Sequence, residues 1–267
     1  MSNREYFPKV SIIMPCYNSE GHIREAIQSV IDQTFQSWEL LICDDASTDA
    51  SLIIIEHYAK SDSRIRPVVH SKSKGAAGAR NSCLNIATGR YIAFLDSDDK
   101  WYQHKLETQI AIMSEGAVFS YSAYDLMTEE GNRSGTVVAP PVVDKSRMLF
   151  GNFIGCLTAV YDTEYFGKVL QPNMKKRNDY ALWLVMFHAH PEAQAVSIPE
   201  PLALYRVNSY GLSSNKFDAA RYYWLCVRRY GNVGLTASVG LLLCHLVMIA
   251  IKKMLPSIYN KVVIRLT

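Results

Sequence analysis

Three carboxylates crowd the end of one apolar run. Residues 91–101 read YIAFLDSDDKW, so Tyr91 to Leu95 lead directly into Asp96, Asp98 and Asp99. Like charges this close repel, and at least one is pushed towards protonation unless a cation sits among them. Hard oxygen ligands suit Mg²⁺ or Mn²⁺. Magnesium commonly takes one or two carboxylates and completes its shell with water and substrate phosphates. The cluster therefore points to a metal carrying a diphosphate, against the plainer reading of a solvated turn that caps a helix.

Other residues could share that chemistry. Asp44 and Asp45 close the run WELLICDD (38–45), and Pro15, Tyr17, Asn18 and Glu20 lie at and just after the end of VSIIMP (10–15). One carboxylate of the pair could accept from a base N–H while a ring such as Tyr17 packs on the base, although part of DDASTD also reads as a helix cap. The stretch KGAAGAR (74–80) opens a helix. Its glycines permit close backbone approach, a helix N-terminus favours phosphate, and Arg80 could reach the same anion. Solvated surface is the alternative for Lys74 and Arg80. Asp179 begins NDYALWLVMFHA (178–189) and by itself reads as a first-turn capping residue. Arg206 heads a Ser-rich loop, 205–216, that could close over a diphosphate. No GxGxxG or GxxxxGK[ST] follows the first apolar run, which argues against dinucleotide and P-loop ATPase readings.

Regular elements must bring these groups together. Strand-like runs at 10–15, 38–45, 65–70 and 91–95 alternate with helical periodicity at 21–34, 52–62 and 78–89. That rhythm predicts an α/β fold, a parallel sheet with helices on both faces. Ser47 or Thr48 is the candidate N-cap of the second helix, Pro67 marks an edge strand, and Gly89 closes the third helix. Ligands of such sheets bind outside the carboxyl ends of the strands, where three of these runs deliver polar or acidic groups. The second half is less regular. It predicts a strand over 117–127, a polar hairpin or loop over 129–141, an amphipathic helix over 178–189 and two short strands broken by prolines over 193–207.

The totals bound the rest. The chain has 267 residues, 49% hydrophobic and 20% charged, which fits one large folded domain or a domain with a tail. A net charge of +3 gives no case for nucleic acid. The six cysteines form no CxxC pair and read as small buried hydrophobes in a reducing compartment, not as disulfides or zinc ligands. The N-terminus MSNREYFPKV has no apolar core of signal-peptide length, so the cytosol or a cytosolic membrane face is expected. From Val233 to Ile251 nineteen residues carry no charge, and basic residues flank both ends. That is just long enough to span a bilayer, but Gly234, Thr236, Ser238, Gly240 and His245 weaken the insertion signal. A helix lying in the membrane interface fits better, with a core or homo-oligomer helix as the alternative.

Taken together, the motifs match a known family. The stretches VSIIMPCYNSE (10–20), AIQSVIDQTFQSWELLICDDASTD (26–49), GAAGARNSCLNIATGRYIAFLDSDDKW (75–101) and NDYALWL (178–184) resemble the family-2 inverting glycosyltransferases of the GT-A fold. The flavour is that of small bacterial enzymes building O-antigen, capsule or teichuronic-type polymers. A UDP-sugar is the expected donor and, from the apolar, basic-flanked tail, a polyprenyl-linked sugar or oligosaccharide the expected acceptor; the resemblance itself implies a nucleotide-sugar donor. It implies that Pro15, Tyr17 and Asp45 line the base and ribose pocket with Asp44 supporting that edge. Asp96 and Asp98 would be the DxD, Asp99 a further metal candidate, Asp179 the catalytic base and Arg206 a neighbour of the diphosphate. The expected division is a GT-A domain over 1–210 and a helical, apolar and basic tail over 211–267 in peripheral membrane contact. Two positions depart from the family pattern: Asn178 stands where an acid often precedes the base, and Asn208 where many members carry His. No QxxRW occurs, which argues against a processive synthase. A sugar nucleotidyltransferase and a catalytically inactive nucleotide-sugar-binding subunit are the rival readings.

Overall fold

The computed structural model describes residues 9–207, 216–255 and Tyr259. Asn208, most of the loop after Arg206, Lys261 and Arg265 lie outside the described residues.

The first half alternates as its apolar runs dictate: β1 (Val10–Cys16), α1 (Ile23–Ile31), β2 (Trp38–Asp44), α2 (Ser51–Ser61), β3 (Ile65–Val69), α3 (Gly75–Ile86) and β4 (Tyr91–Phe94). These strands lie in the order β3-β2-β1-β4, every pair parallel. The chain steps outward from β1 to β3, then crosses back to set β4 on the other side of β1. Such a reversal opens a crevice at the carboxyl ends of the central strands. Next come β5 (Lys100–Trp101), α4 (Lys105–Ser114), β6 (Phe119–Met127), β7 (Arg133–Val137) and β8 (Val142–Val143). They are followed by α5 (Lys145–Met148), a 3₁₀ turn at Cys156–Thr158, β9 (Val160–Asp162) and α6 (Thr163–Phe166). Last are α7 (Asn178–Ala189), β10 (Ala195–Arg206), α8 (Lys216–Tyr230) and α9 (Leu235–Met254). The sheet continues β4-β9-β6-β10-β5, with β9 antiparallel to both neighbours and β10 parallel to β6.

Side chains alternate across the central strands, and each face has its own core. Ile13, Leu41, Cys43, Ile92 and Phe94 pack with α3 and α7. Ile12, Met14, Leu40, Ile42 and Ala93 pack with α1, α2 and α4 on the other face. Strands buried on both faces read as unbroken apolar runs, which is why their sequence signal is strong.

Local expectations need several corrections. Ala50, not Ser47 or Thr48, occupies the N-cap of α2 and makes no side-chain cap bond. Instead the Glu20 carboxylate accepts from Ala50 N at 2.8 Å, so the cap comes from another loop. The third helix starts at Gly75 and its C-cap is Ala87, not Gly89. Gly89 serves a close approach: a Cβ there would lie 2.6 Å from Ser11 N, and its own N–H donates to Ser11 Oγ at 2.8 Å. The prolines at 199 and 201 do not split the late strand. β10 is one strand whose register against β6 shifts on either side of Pro201, absorbing the missing donors as irregularities. Nor is α7 amphipathic: seven of its twelve residues, Tyr180, Ala181, Leu182, Trp183, Leu184, Met186 and Phe187, are buried. It runs between the sheet and α8, and the Trp183 ring meets Phe119 edge-on at 5.2 Å.

Candidate active site

A cavity of about 920 Å³ opens at the carboxyl ends of the central strands. It brings together Arg80 from α3, Asp96 and Asp99 from the turn after β4, and Asp179 from the first turn of α7. The β4 turn is pinned from both sides. Asp99 N donates to Asp96 O at 3.1 Å, and Ser97 Oγ pairs with Ser19 Oγ at 2.7 Å across from the β1 loop.

The carboxylates of the turn have different surroundings. Asp96 is paired with Arg80, whose Nη2 donates to its Oδ1. Burial works against the Arg80 charge, but Asp96, Cys156 and Asp179 raise its pKa on balance. Its Nη1 also reaches Gln171 Oε1 at 3.4 Å, while Nε is buried with no partner. Asp99 is 2% exposed and accepts from Arg206 N at 2.8 Å. Burial, then Asp98 and Asp96, lift its pKa well above the ordinary carboxylate range. Burial and Asp96 raise Asp98 too, against lowering by His22 and Arg206. Asp98 is not among the residues lining the cavity.

A divalent cation fits this donor set. Asp98 and Asp99 are hard oxygen ligands whose shared negative charge is held at a cost that a cation would relieve. Among the described residues no group of three or more His, Cys, Asp or Glu is arranged to hold a metal. The remaining positions in its shell would therefore fall to water and a substrate's phosphates.

Arg206, expected near the diphosphate, lies against the acidic turn with its side chain turned into the protein. It is 2% exposed, and its guanidinium is consumed by protein: Nε donates to Asp98 O at 2.9 Å, Nη1 to Glu129 O at 2.5 Å and Nη2 to Glu25 Oε2 at 3.0 Å. It ties β10 to the acidic turn and to α1.

The β1 and β2 ends form a second cluster outside the cavity lining. Tyr17 is exposed, and Pro15 lies within β1 opposite Cys43. Asn18 takes a left-handed φ of 47° and its Oδ1 accepts from Thr48 N at 2.8 Å. With the Glu20 cap of α2, it stitches the β1 loop to the β2 loop. Asp45 is saturated. Its Oδ1 accepts from Lys74 N at 2.8 Å and pairs with His70 Nδ1 at 2.7 Å, and its Oδ2 accepts from Ser73 Oγ at 2.7 Å and Gly75 N at 2.8 Å. Burial opposes its charge, but these donors lower its pKa on balance. Asp44 instead keeps one oxygen, Oδ1, buried without a partner, while Oδ2 accepts from Ser47 N at 3.1 Å. Asp45 is thus held by protein donors on both oxygens, while Asp44 keeps one unpartnered oxygen that is itself buried.

Several contributors escaped sequence reasoning. Asn152 Nδ2 donates to Asp179 Oδ2 at 2.7 Å and so orients that carboxylate from a loop with no periodic signal. Gln171 reaches Arg80 from another loop. Tyr124 and Tyr205 form an edge-on pair, centroids 6.1 Å apart, on the cavity wall. Gly155 makes room for this wall, since a Cβ there would lie 2.9 Å from the Tyr124 ring. Of the cysteines expected as buried hydrophobes, Cys16, Cys43, Cys83 and Cys226 are buried, Cys156 is half-buried and Cys244 is exposed; burial pushes Cys16 up to about 11.

Comparison with known proteins is consistent with this geometry. The sequence profile described as Glycosyl transferase family 2 matches residues 11–158. The Bacillus subtilis (strain 168) protein named as a teichuronic acid biosynthesis glycosyltransferase, TuaG, is 41% identical over 223 residues, 83% of this chain and 88% of that one. The Escherichia coli UDP-Glc:alpha-D-GlcNAc-diphosphoundecaprenol beta-1,3-glucosyltransferase WfgD is 40% identical over 216 residues, 80% of this chain and 83% of that one. The crystal structure of S. aureus TarS 1-349 in complex with UDP-GlcNAc superposes with a TM-score of 0.65 at 21% identity, over 89% of this chain and 71% of that one. That likeness shows the fold, a mixed α/β sheet of the GT-A type with a C-terminal helix.

Proposed function

The chain belongs to glycosyl transferase family 2 and is a transferase; from that premise we propose that it moves one sugar from a UDP-sugar to a polyprenyl-diphosphate-linked acceptor in bacterial surface polysaccharide synthesis. The observation that carries this reading is the single cavity holding Asp179 on one element and the Arg80–Asp96–Asp99 group on others. One carboxylate can serve the incoming nucleophile while the other group serves the leaving anion.

Asp179 takes the proton from an acceptor hydroxyl, held in orientation by Asn152. The deprotonating oxygen attacks the anomeric carbon from the face opposite the nucleoside diphosphate, so configuration inverts. General-base help of this kind is worth roughly 10²–10⁴-fold. Arg80 keeps Asp96 in place beside the departing phosphates. Asp98 and Asp99 would hold Mg²⁺ or Mn²⁺. When bound, that ion neutralises charge developing on the leaving diphosphate. Tyr17 and Asp45 would meet the base and ribose at the β1–β2 end, with Asp44 supporting that edge.

The protein would work at the cytosolic face of the membrane. The outer face of α9 is apolar, with Leu235, Val239, Leu243 and Val247 exposed at four-residue spacing, and Lys252 and Lys253 exposed in its last turn. A bilayer with anionic headgroups complements both features.

Asp179→Asn tests the mechanism. The variant is expected to bind UDP with Mn²⁺ as the wild type does, read as a rise in Tm, and to lose at least about 100-fold in transfer rate. Transfer that survives the substitution removes Asp179 from the base role. A wild type that binds UDP but transfers nothing would favour an inactive binding subunit.

A further inference from the structure

The cavity rim is dominated by one sign of charge. Lys175 and Arg177 reach it from the segment before α7, and Lys252 from the last turn of α9. Lys176 is already tied to Asp218 at 3.0 Å and leaves the set. Arg177 is the unusual member. It sits at the N-cap of α7 in the left-handed region, φ 61° and ψ 37°, which a residue with a side chain enters only when its surroundings hold it there. It is half-buried, and among the described residues no carboxylate or hydrogen bond engages its guanidinium. Its charge acts on Tyr223, Cys226 and His245 at the α8–α9 seam. A half-buried cation with no counter-ion is an unmet demand for an anion.

With the donor's diphosphate at the Arg80 and Asp96–Asp99 end of the cavity, as proposed, Arg177 is left for another anion. A second anion is needed near Asp179, two residues along the same turn of helix, and near Lys252. Lys252 is also where the exposed apolar stripe of α9 ends. We propose that Arg177, with Lys175 and Lys252, forms the subsite for the diphosphate of a polyprenyl-linked sugar acceptor, with the hydrocarbon chain leaving along the apolar face of α9. The planar Arg fork matches two phosphate oxygens at once, and the lysines add point charges at the mouth. The sugar beyond the diphosphate then points inward, towards Asp179 and the Tyr124–Tyr205 wall. This rests on the reading of the site as a transferase with a lipid-linked acceptor, and it assigns that acceptor's anion to named residues.

The test is calorimetric titration of decyl diphosphate into the full chain, with UDP and Mn²⁺ held at saturation so that the donor site is filled. Decyl diphosphate is expected to bind without displacing UDP, and decanol is expected not to bind at the same concentrations. Arg177→Gln should weaken the diphosphate by about tenfold or more, Lys175→Ala and Lys252→Ala by about threefold each, and Arg177→Lys should recover part of the loss. Retained UDP binding in each variant certifies the fold, and Lys252 is exposed enough that its loss cannot unfold the chain. Competition between decyl diphosphate and UDP would overturn the proposal, because the probe would then be occupying the donor's own site. Unchanged affinity in Arg177→Gln would also overturn it. So would an equal loss of Arg177→Gln binding to phosphatidylglycerol vesicles that contain no diphosphate lipid, which would make the cluster a bilayer patch. Transfer by the wild type from UDP-glucose to a lipid diphosphate sugar is scored separately. Its absence alongside intact decyl diphosphate binding would strike the functional reading and leave the subsite standing.

Discussion

The acidic turn after β4 is a place where residue types alone were informative and their arrangement was not. Asp96, Asp98 and Asp99 announce themselves because three carboxylates after a buried strand have few structural uses. What the spacing could not reveal is that Asp96 is neutralised by Arg80 while Asp99 is buried under backbone from β10. The long-range partners Asn152, Gln171 and Glu25 were invisible for the same reason: each comes from a segment whose approach depends on the finished fold. The raised pKa of Asp99 has a consequence for stability. Its folded carboxyl binds a proton more readily than the unfolded one, so its contribution is full at low pH and is lost as pH rises through the raised value. At neutral pH without metal it is a liability. Asp99→Asn keeps an oxygen to accept from Arg206 N and removes the charge. In EDTA at pH 7 this variant should melt a few degrees higher than the wild type, about 2–4 °C per kcal/mol for a domain of this size. The gap should shrink as pH is lowered towards 4, and the variant should lose most of the wild type's Tm gain with Mn²⁺. An Asp99→Asn protein that is less stable by an amount independent of pH would show that the charge is compensated within the fold.

At the scale of elements, the buried central strands and the helices between them were legible because periodicity and burial agree. Failures cluster where tertiary contacts override the local signal. The helix α7 carries too many apolar residues for one face because it is covered on several sides. The late strand stays whole across its prolines because β6 holds it. α4 went unread since its inward face carries polar groups: Lys105 and Gln109 are both 0% exposed. Lys105 Nζ donates to Gln109 Oε1 at 2.6 Å and lies 4.0 Å from the Trp101 ring centroid. Burial alone lowers its pKa well below the usual lysine value. The sign follows directly. Between the lowered folded value and about 10.4 the unfolded chain binds the extra proton, so stability rises with pH by up to about 1.4 kcal/mol per unit. Lys105→Met lacks this dependence. The difference between wild type and variant in denaturant-derived stability should therefore move in favour of the wild type between pH 7 and pH 10. A difference flat over that range would mean that the buried ammonium keeps its charge.

Across the whole molecule, the C-terminal helix joins the chemistry to its surroundings. Its composition announced an apolar segment, and α9 is the one described helix long and apolar enough to cross a membrane. Composition could not say which side faces the protein. Ser238 and His245, seven residues apart, point inward: Trp224 Nε1 donates to Ser238 Oγ at 3.2 Å, and the His245 ring stacks 3.8 Å from Tyr223. The same stack continues from Tyr223 to Tyr180 at 6.0 Å, linking α9 to the helix that carries Asp179. Two of the residues that weaken a spanning reading, Ser238 and His245, thus dock the helix, while Thr236 and the apolar stripe are left outside. A helix held by the protein along one side can sink its other side into an interface but cannot cross the bilayer without breaking those contacts. The cavity would then open at the membrane plane, since Lys252 belongs to both. Leu243→Glu with Val247→Glu places two charges on the outer stripe, at positions 59% and 57% exposed. The double variant should keep the wild-type Tm and UDP binding, lose sedimentation with phosphatidylglycerol vesicles, and transfer poorly to acceptor embedded in those vesicles while retaining activity on acceptor dispersed in detergent. Alkaline carbonate should release the wild type from membranes. Resistance to carbonate would instead make α9 a span, and unchanged sedimentation of the double variant would remove the outer stripe from membrane contact altogether.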